Sequence, residues 1–409
     1  MNAGVEMFLD GYVTLHKGDC LDVLKSLSEN SVDSVVCDPP YHLTAGKKGG
    51  TGEASLNLAS PAGRSRIGTG GGFMGKEWDG GDIAFRPDVW RECLRVLKPG
   101  GYLLAFASTR GFGRMSVAIE DAGFVVHPMI AWLFGTGFPK ATRVKAEGYD
   151  GFRYGGQALK PAIEPIFMGQ RPFSEPTGTA NILRWGTGAV NIDGCRVNSG
   201  GEVKPRGSTR LDTNMHPGWA RPWMEDRKAV QSLHDDAIAR ANEMGRWPAN
   251  VVHDGSAEVL AGFPDAPGAQ REVNGSFAPK TGTAVFGDYG PRPTAVPRGD
   301  SGSAARFFYS AKASAADRIG SKHPTVKPVD LMRWLVRLVT PPKGTVLDPF
   351  AGTGTSGEAA WREGINAILI EREPEYRADI VERMRLCPAG PAERKRAIAK
   401  RKIIQEMLS

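Results

Sequence analysis

The segment Val346-Leu347-Asp348-Pro349-Phe350-Ala351-Gly352-Thr353-Gly354-Thr355 joins an apolar strand to a helix through a glycine turn. Few folds accept that junction. Glycines let the backbone approach a ligand closely, and strand–turn–helix units of this kind build open α/β sheets, whose ligands lie outside the carboxyl ends of the strands. The neighbouring sequence keeps the same rhythm. Pro328 to Val339 is amphipathic and helical, Thr345 to Leu347 is the strand, and Thr355 to Glu363 is the next helix. Ala367 to Ile370 is again a strand and Glu373 to Arg385 a helix. Near the N-terminus, Val13 to His16 and Val32 to Cys37 read as strands around a short helix, Asp22 to Leu27. Helices over Arg86 to Leu97 and Arg110 to Ala122 alternate with strands over Tyr102 to Phe106 and Phe124 to Phe134. Strands alternating with helices predict a parallel α/β sheet.

Between these two α/β stretches the pattern lapses. The zone 140–305 is rich in Gly, Pro, Asn and Arg, and its apolar pieces are short, such as Ala162 to Met168 and Pro248 to Val252. It reads as a loop-rich insertion rather than a second core. The chain thus divides into 1–139, the insertion 140–305, a second α/β part 306–390 and a basic tail 391–409. A length of 409 residues suits one large domain so interrupted, or two domains. The tail holds six basic residues against Glu393 and Glu406, a net of +4. It reads equally as a solvated helix or as an arm that tracks phosphate. The net charge of +7 permits a polyanionic partner without requiring one. The five cysteines form no Cys-x-x-Cys pair, and no apolar run is long enough to span a membrane. Reduced thiols, a cytoplasmic location and no bound metal are the expectation. The glycine-rich stretch His42 to Gly80 could be a plain surface loop; Trp78 near its end favours a lid that orders over substrate.

The sharpest chemical signal is Asp38-Pro39-Pro40-Tyr41, at the end of the apolar strand Val32 to Cys37. Two prolines stiffen the turn. A carboxylate and a rigid carbonyl then make two acceptors at fixed separation, matching the two donors of an exocyclic amine, and the tyrosine offers a face for a flipped base. The lone pair of an aromatic amine is delocalised into its ring. Two acceptors draw the amine toward a tetrahedral geometry and return electron density to nitrogen. A carboxylate with an ordinary pKa of about 3.9 is too weak a base to deprotonate the neutral amine, so Asp38 acts through hydrogen bonding and charge stabilisation. Asp and Pro also favour turns, which is the plain alternative. The glycine turn is less decisive. Gly352, Gly354 and Gly357 satisfy G-x-G-x-x-G, and Glu371 closes the following strand, where a carboxylate can accept ribose hydroxyls. That segment alone leaves a nicotinamide dehydrogenase, a methyltransferase and a purely structural turn open.

Together the two motifs resemble those of the DNA amino-methyltransferase family, in which D-P-P-Y holds the target amine and F-x-G-x-G binds S-adenosylmethionine. Here they are Asp38 to Tyr41 and Phe350-Ala351-Gly352-Thr353-Gly354. The catalytic motif comes first and the cofactor motif last, an order similar to the β-type permutation of that family with a target-recognition domain between. The resemblance implies a circularly permuted class I methyltransferase sheet, Rossmann-like, with Val13 to His16 and Val32 to Cys37 as the third and fourth strands after those ending at Asp348 and Glu371. It implies catalysis by Asp38, Pro39, Pro40 and Tyr41. It implies cofactor contacts from Asp348, Phe350, Ala351, Gly352, Gly354, Thr355 and Glu371. Asp19 would face the cofactor adenine, although it also suits a helix N-cap. His323-Pro324-Thr325-Val326-Lys327-Pro328 resembles the family motif that helps hold the methionine carboxylate, with Thr325 and Lys327 as candidates and His323 structural. The implied partner is double-stranded DNA, flipped into the pocket and attacked directly without metal or covalent enzyme intermediate. A homodimer and a cognate restriction endonuclease stay open as partners. D-P-P-Y favours N6 of adenine. N4 of cytosine is the nearest rival, followed by methylation of a protein glutamine, whose enzymes usually carry Asn in place of Asp38, and by a non-catalytic DNA-binding protein. Arg184, Trp185, Arg246, Trp247 and Asn250 are candidate DNA contacts, with packing the more ordinary role for both tryptophans.

Overall fold

The computed structural model describes residues 4–41, 82–198, 243–266, 302–311, 314–321, 323 and 325–407. The expected lid, His42 to Gly80, lies outside them.

Strand β3 (Val32–Cys37) is buried along its whole length, as befits a strand with parallel neighbours and covered faces. Its two polar residues are both satisfied. Asp33 accepts from the Thr345 amide at 2.7 Å and from Lys98 Nζ at 2.6 Å, and Ser34 bonds the Thr340 hydroxyl at 2.7 Å. On one side β3 pairs in parallel with β4 (Leu97–Phe106). On the other it pairs with β11 (Thr345–Asp348), then come β12 (Asn366–Glu371) and β2 (Val13–Lys17), again in parallel. Beyond β4 lie β8 (Ile163–Gln170), antiparallel to both neighbours, and β5 (Val125–Leu133). Strands β1 (Val5–Phe8), β9 (Val251–His253) and β10 (Tyr309–Ser310) complete a ten-stranded sheet of order β1-β2-β12-β11-β3-β4-β8-β5-β9-β10. Strands β6 (Lys140–Arg143) and β7 (Arg153–Gln157) form a separate antiparallel ribbon.

Counted from β11, the seven central strands run 3-2-1-4-5-7-6, with the seventh antiparallel. The third and fourth positions are β2 and β3, as expected. The sheet is a circularly permuted Rossmann-like α/β sheet. Its strand order reverses between β11 and β3, so their carboxyl ends form the switch point at which such sheets bind ligands.

Helices follow from local chemistry. Asp19 caps α1 (Cys20–Ser26) through the Leu21 amide at 3.0 Å. Pro87 opens α2 (Pro87–Val96), which buries Val89, Trp90, Cys93 and Val96. Helix α3 (Phe112–Asp121) buries Met115, Ala118 and Ile119. Helix α6 (Val329–Val339) buries every apolar residue it has. Helix α7 (Thr355–Arg362) starts at Gly354, whose φ of 75° is left-handed and favours glycine. A Cβ on Gly357 would meet Leu369 Cδ1 at 2.8 Å, so the third glycine serves helix–strand packing. Helices α8 (Pro374–Leu386) and α9 (Pro391–Met407) end the chain.

Two compact units emerge: Met1–Gly194 with Asn250–Ser256 and Ser310–Ser409, and Cys195–Ala249 with Ala257–Tyr309. The boundary expected at 139/140 therefore moves. Ala162 to Met168, which reads as one short apolar piece of an insertion, is most of β8 and sits inside the sheet. Asn181 of α4 (Gly178–Trp185) is wholly buried and donates to the Pro99 and Thr187 carbonyls at 2.8 and 2.9 Å, binding that stretch to the β4 turn. In the second unit, Val197 and Arg246 form a bridge, as do Asp265 and Ser303. Arg306 lies over the Phe307 ring at 4.4 Å, and Phe263 and Phe308 pack with centroids 5.3 Å apart beside α5 (Ala257–Ala261).

The tail is helical, and part of its charge turns inward. Arg394 binds the buried Glu358, and Arg401 pairs with Asp379. No helix among the described residues is long and apolar enough to cross a membrane. All five cysteines are buried thiols.

Candidate active site

The carboxyl ends of β2, β3, β11 and β12 converge on one cavity of about 1190 Å³, lined by Gly18, Asp19, Asp38, Asp348 and Glu371. It is larger than the roughly 300–1,000 Å³ of a typical small-molecule pocket, leaving room for two ligand groups side by side.

One side carries the glycine turn. Glu371 ends β12 and accepts from the Gly352 and Glu373 amides, each at 2.8 Å. An ionised carboxylate has about four acceptor positions, so capacity for two hydroxyl donors is left. Burial pushes the Glu371 carboxyl up to about 7, against the pull of those two amides. Burial likewise raises Asp348 to about 7, while the Ser356 hydroxyl and the Phe350 amide, at 3.0 Å, draw it down. Phe350, Ala351, Gly352, Thr355 and Thr325 line this side. A Cβ on Gly352 would lie 3.6 Å from His323 Nε2. Among the expected cofactor residues Gly354 alone stays off the wall, its hydrogens packed toward Ile380 and Met384. Asp19 caps α1 and also lines the cavity. His323 Nδ1 accepts the Thr325 amide at 3.2 Å, and its ring stands edge-on to Tyr376 at 4.5 Å. These groups fit a nucleoside carrying ribose hydroxyls, with a glycine backbone close beneath it.

The other side carries Asp38 to Tyr41. Lys327, the candidate for the methionine carboxylate, lies on this side. Its side chain is 6% exposed, and its Nζ lies 2.8 Å from Asp38 Oδ2, 3.1 Å from Glu164 Oε2 and 3.1 Å from the Tyr41 hydroxyl. Burial pulls the ammonium down, and the Asp38 and Glu164 carboxylates more than offset it, so Lys327 titrates above its ordinary value. Glu164 moves up, chiefly through burial. The second Asp38 oxygen, Oδ1, is buried and has no hydrogen-bond partner among the described residues. Trp132 and Phe134 at the end of β5 add aromatic wall, with rings 5.1 Å apart.

Glu164 is the residue that sequence reasoning missed. Its signal was a lone carboxylate inside the apolar run Ile163-Glu164-Pro165-Ile166-Phe167-Met168. Among the residues proposed for DNA contact, Arg184 pairs with Glu175 at 2.5 Å, Trp185 Nε1 donates to Ser174 at 2.8 Å, and Asn250 donates to the Met129 carbonyl at 3.0 Å. In the second unit, Arg246 lies 5.2 Å from the Phe307 ring centroid. Trp247 there is 65% exposed beneath Arg196, so packing does not account for it.

Comparison with known proteins bears on this arrangement. A family model described as DNA methylase, of the N6/N4 type, matches residues 32–382. The type II methyltransferase M.HpaI of Haemophilus parainfluenzae is 30% identical over 123 residues, 30% of this chain. The match spans about a third, 32%, of that relative's length. Among solved structures, TTHA0409 of Thermus thermophilus, complexed with S-adenosyl-L-methionine, aligns with 93% of this chain and 97% of its own at 19% identity and a TM-score of 0.38. The cytosine-N4-specific PvuII DNA methyltransferase aligns with 96% and 93% at 14% identity and a TM-score of 0.44. The family match runs from the first residue of β3 into α8 and so takes in both motif-bearing sides of the cavity; the chain belongs to the N6/N4 DNA methylase family.

Proposed function

We propose that the protein is a site-specific DNA methyltransferase that moves a methyl group from S-adenosylmethionine to N6 of adenine. The observation that carries the reading is the Asp38 carboxylate at the switch point, held by Lys327 through one oxygen and lining the same cavity as Glu371. Bound against Glu371 and the glycine turn, S-adenosylmethionine would supply an electrophilic methyl group. The protein's own residues do the rest. Asp38 and a proline carbonyl of the turn accept the two amine hydrogens and concentrate electron density on nitrogen. Tyr41 stacks on the base, with Trp132 and Phe134 keeping water from it. Once methylated, the nitrogen is cationic, and Asp38 receives the proton it sheds and passes it to solvent. Double-stranded DNA is the substrate, entering by base flipping. In this reading the zone from 140 to 305 contains the target-recognition part, and the five candidates would grip phosphate or read base edges from it.

Modification-sensitive long-read sequencing of DNA from a methylation-deficient host expressing the protein tests this. N6-methyladenine at one short motif is the expected result. N4-methylcytosine there would keep the chemistry and replace the base, and unmodified DNA would refute the reading.

The cofactor side has its own test. Ribose hydroxyls donate to an ionised carboxylate, whereas Glu371, at about 7 in the free protein, is largely protonated in mild acid. Binding of S-adenosylmethionine must then release a proton. Its affinity should rise from about pH 6 to about pH 8, by up to roughly tenfold per unit below the pKa. Calorimetry in two buffers of different ionisation enthalpy should register the released proton. Glu371→Gln should weaken binding and flatten the slope, leaving only the share due to Asp348. A wild-type affinity indifferent to pH would remove Glu371 from the ribose.

A further inference from the structure

Methyl transfer as read above uses Asp38 and Tyr41 but leaves two buried titratable groups without a task. Lys327 comes from the extended stretch before α6, and Glu164 comes from β8, the antiparallel strand. Both reach the same point behind the D-P-P-Y turn. Lys327 has three N–H donors, and it has three oxygen neighbours at 2.8–3.1 Å: Asp38, Glu164 and Tyr41. Burying such a cluster is a weak source of stability, because desolvation consumes most of the attraction. Its geometry, by contrast, acts on the reacting groups themselves.

We propose that Lys327 and Glu164 are positioning residues for methyl transfer: Lys327 clamps Asp38 by Oδ2 so that the carboxylate is held in one orientation for the target amine, and Glu164 shares the ammonium so that Asp38 keeps its strength as an acceptor. The inference rests on the amine-methylation reading. A carboxylate bound by one oxygen cannot rotate its charge away from the amine. The same ammonium fixes Tyr41, so acceptor and stacking ring are set by one atom. If Glu164 did not share it, the ammonium would be drawn wholly onto Asp38 and withdraw charge from the amine. Asp38 is faced by Lys327, Glu164 and Tyr41, by Asp348 across the cavity and by the Cys37 thiol before it. Removing Lys327 leaves Asp38 and Glu164 confronting each other, and such carboxylates share a proton.

The test is steady-state and pH-dependent kinetics of methyl transfer to a DNA duplex for Lys327→Met, Glu164→Gln and the double variant. Lys327→Met should lower kcat by about ten- to a hundredfold, as loss of orientation does. KM for DNA and the Kd of S-adenosylmethionine should stay within about threefold of wild type. The acid limb of its kcat profile should move up by about one pH unit. Adding Glu164→Gln removes the like charge, so the double variant should regain the share of activity lost to repulsion and return the acid limb toward its wild-type place, a rescue that damaged packing would not produce. The double variant carries no opposed carboxylates, and Glu164→Gln alone retains the Lys327 clamp, so the comparison holds even if Lys327→Met folds poorly. Active wild type with inactive Asp38→Ala upholds the amine-methylation reading. Against that background, an unmoved acid limb in Lys327→Met, or losses that simply multiply in the double variant, would overturn the positioning role alone.

Discussion

Asp38→Ala should lower kcat for DNA methylation by about 10²–10³-fold, the loss that follows removal of one preorganised group facing charge that develops in the transition state. The Kd of S-adenosylmethionine should change by less than about threefold, because the proposed cofactor groups, Glu371 and the glycine turn, stand on the other side of the cavity. The fold should hold. After the substitution Lys327 still faces Glu164 at 3.1 Å, a neutral buried pair rather than an orphaned charge. This distinguishes Asp38 from most buried acids, whose loss strands a cation. Asp38→Asn should fall between, since the amide oxygen still accepts from the amine but carries no charge to balance the cationic nitrogen. Single-turnover methylation with saturating DNA separates the chemical step from release. An Asp38→Ala enzyme that turned over at the wild-type rate would take the carboxylate out of the reaction.

Much of this site is legible before folding because its chemistry is local. Asp38 to Tyr41 and Asp348 to Thr355 each sit in one turn, where strand, breaker and carboxylate adjoin in sequence. The parallel strands β3, β11 and β12 announce themselves as apolar runs flanked by helices, so the permuted order follows from counting. What stays hidden depends on contacts far apart in the chain. Glu164 lies 126 positions after Asp38 and 163 before Lys327, and nothing near it signals that their charges meet. Lys327 sits in a stretch resembling a cofactor motif, and its long side chain reaches the D-P-P-Y turn. β8 reads as a piece of an insertion because an antiparallel strand inserted between β4 and β5 has no helical partner beside it in sequence. The basic tail looks uniform in sequence, whereas burial divides it: Arg394 turns inward and Arg396 faces solvent.

That division carries the second large effect. Glu358 in α7 is fully buried, and so is Arg383 of α8, 2.7 Å away; Arg394 of α9 approaches at 2.7 Å and Arg362 at 2.9 Å. Arg383 also donates to the Thr353 carbonyl at 2.7 Å, inside the glycine turn. One carboxylate therefore ties three helices to the cofactor loop. Glu358→Ala leaves guanidiniums buried without their counter-charge, and arginine cannot escape by losing a proton. Breaking such a pair should cost about 3–5 kcal/mol of unfolding free energy, read from urea denaturation at pH 7, and should loosen the glycine turn enough to weaken S-adenosylmethionine binding. The pH dependence supplies an independent check. Burial pushes the Glu358 carboxyl up, and Arg394 and Arg383 outweigh it, holding it at about 2 against an ordinary 4.5. A depressed folded pKa stabilises the protein above the unfolded value, and that stability is lost as pH falls from about 4.5 toward about 2. The separation of those two values corresponds to about 3 kcal/mol, in line with the mutational cost. Asp348 and Glu371 act with the opposite sign. Both are raised to about 7, so their contribution declines as pH rises from about 4 to about 7. They are present in wild type and variant alike and cancel in the difference. The stability gap between wild type and Glu358→Ala should therefore be widest near neutrality and close on acidification below about pH 4.5. A gap that is absent at pH 7, or that does not narrow in acid, would mean that Glu358 does not hold these helices by charge.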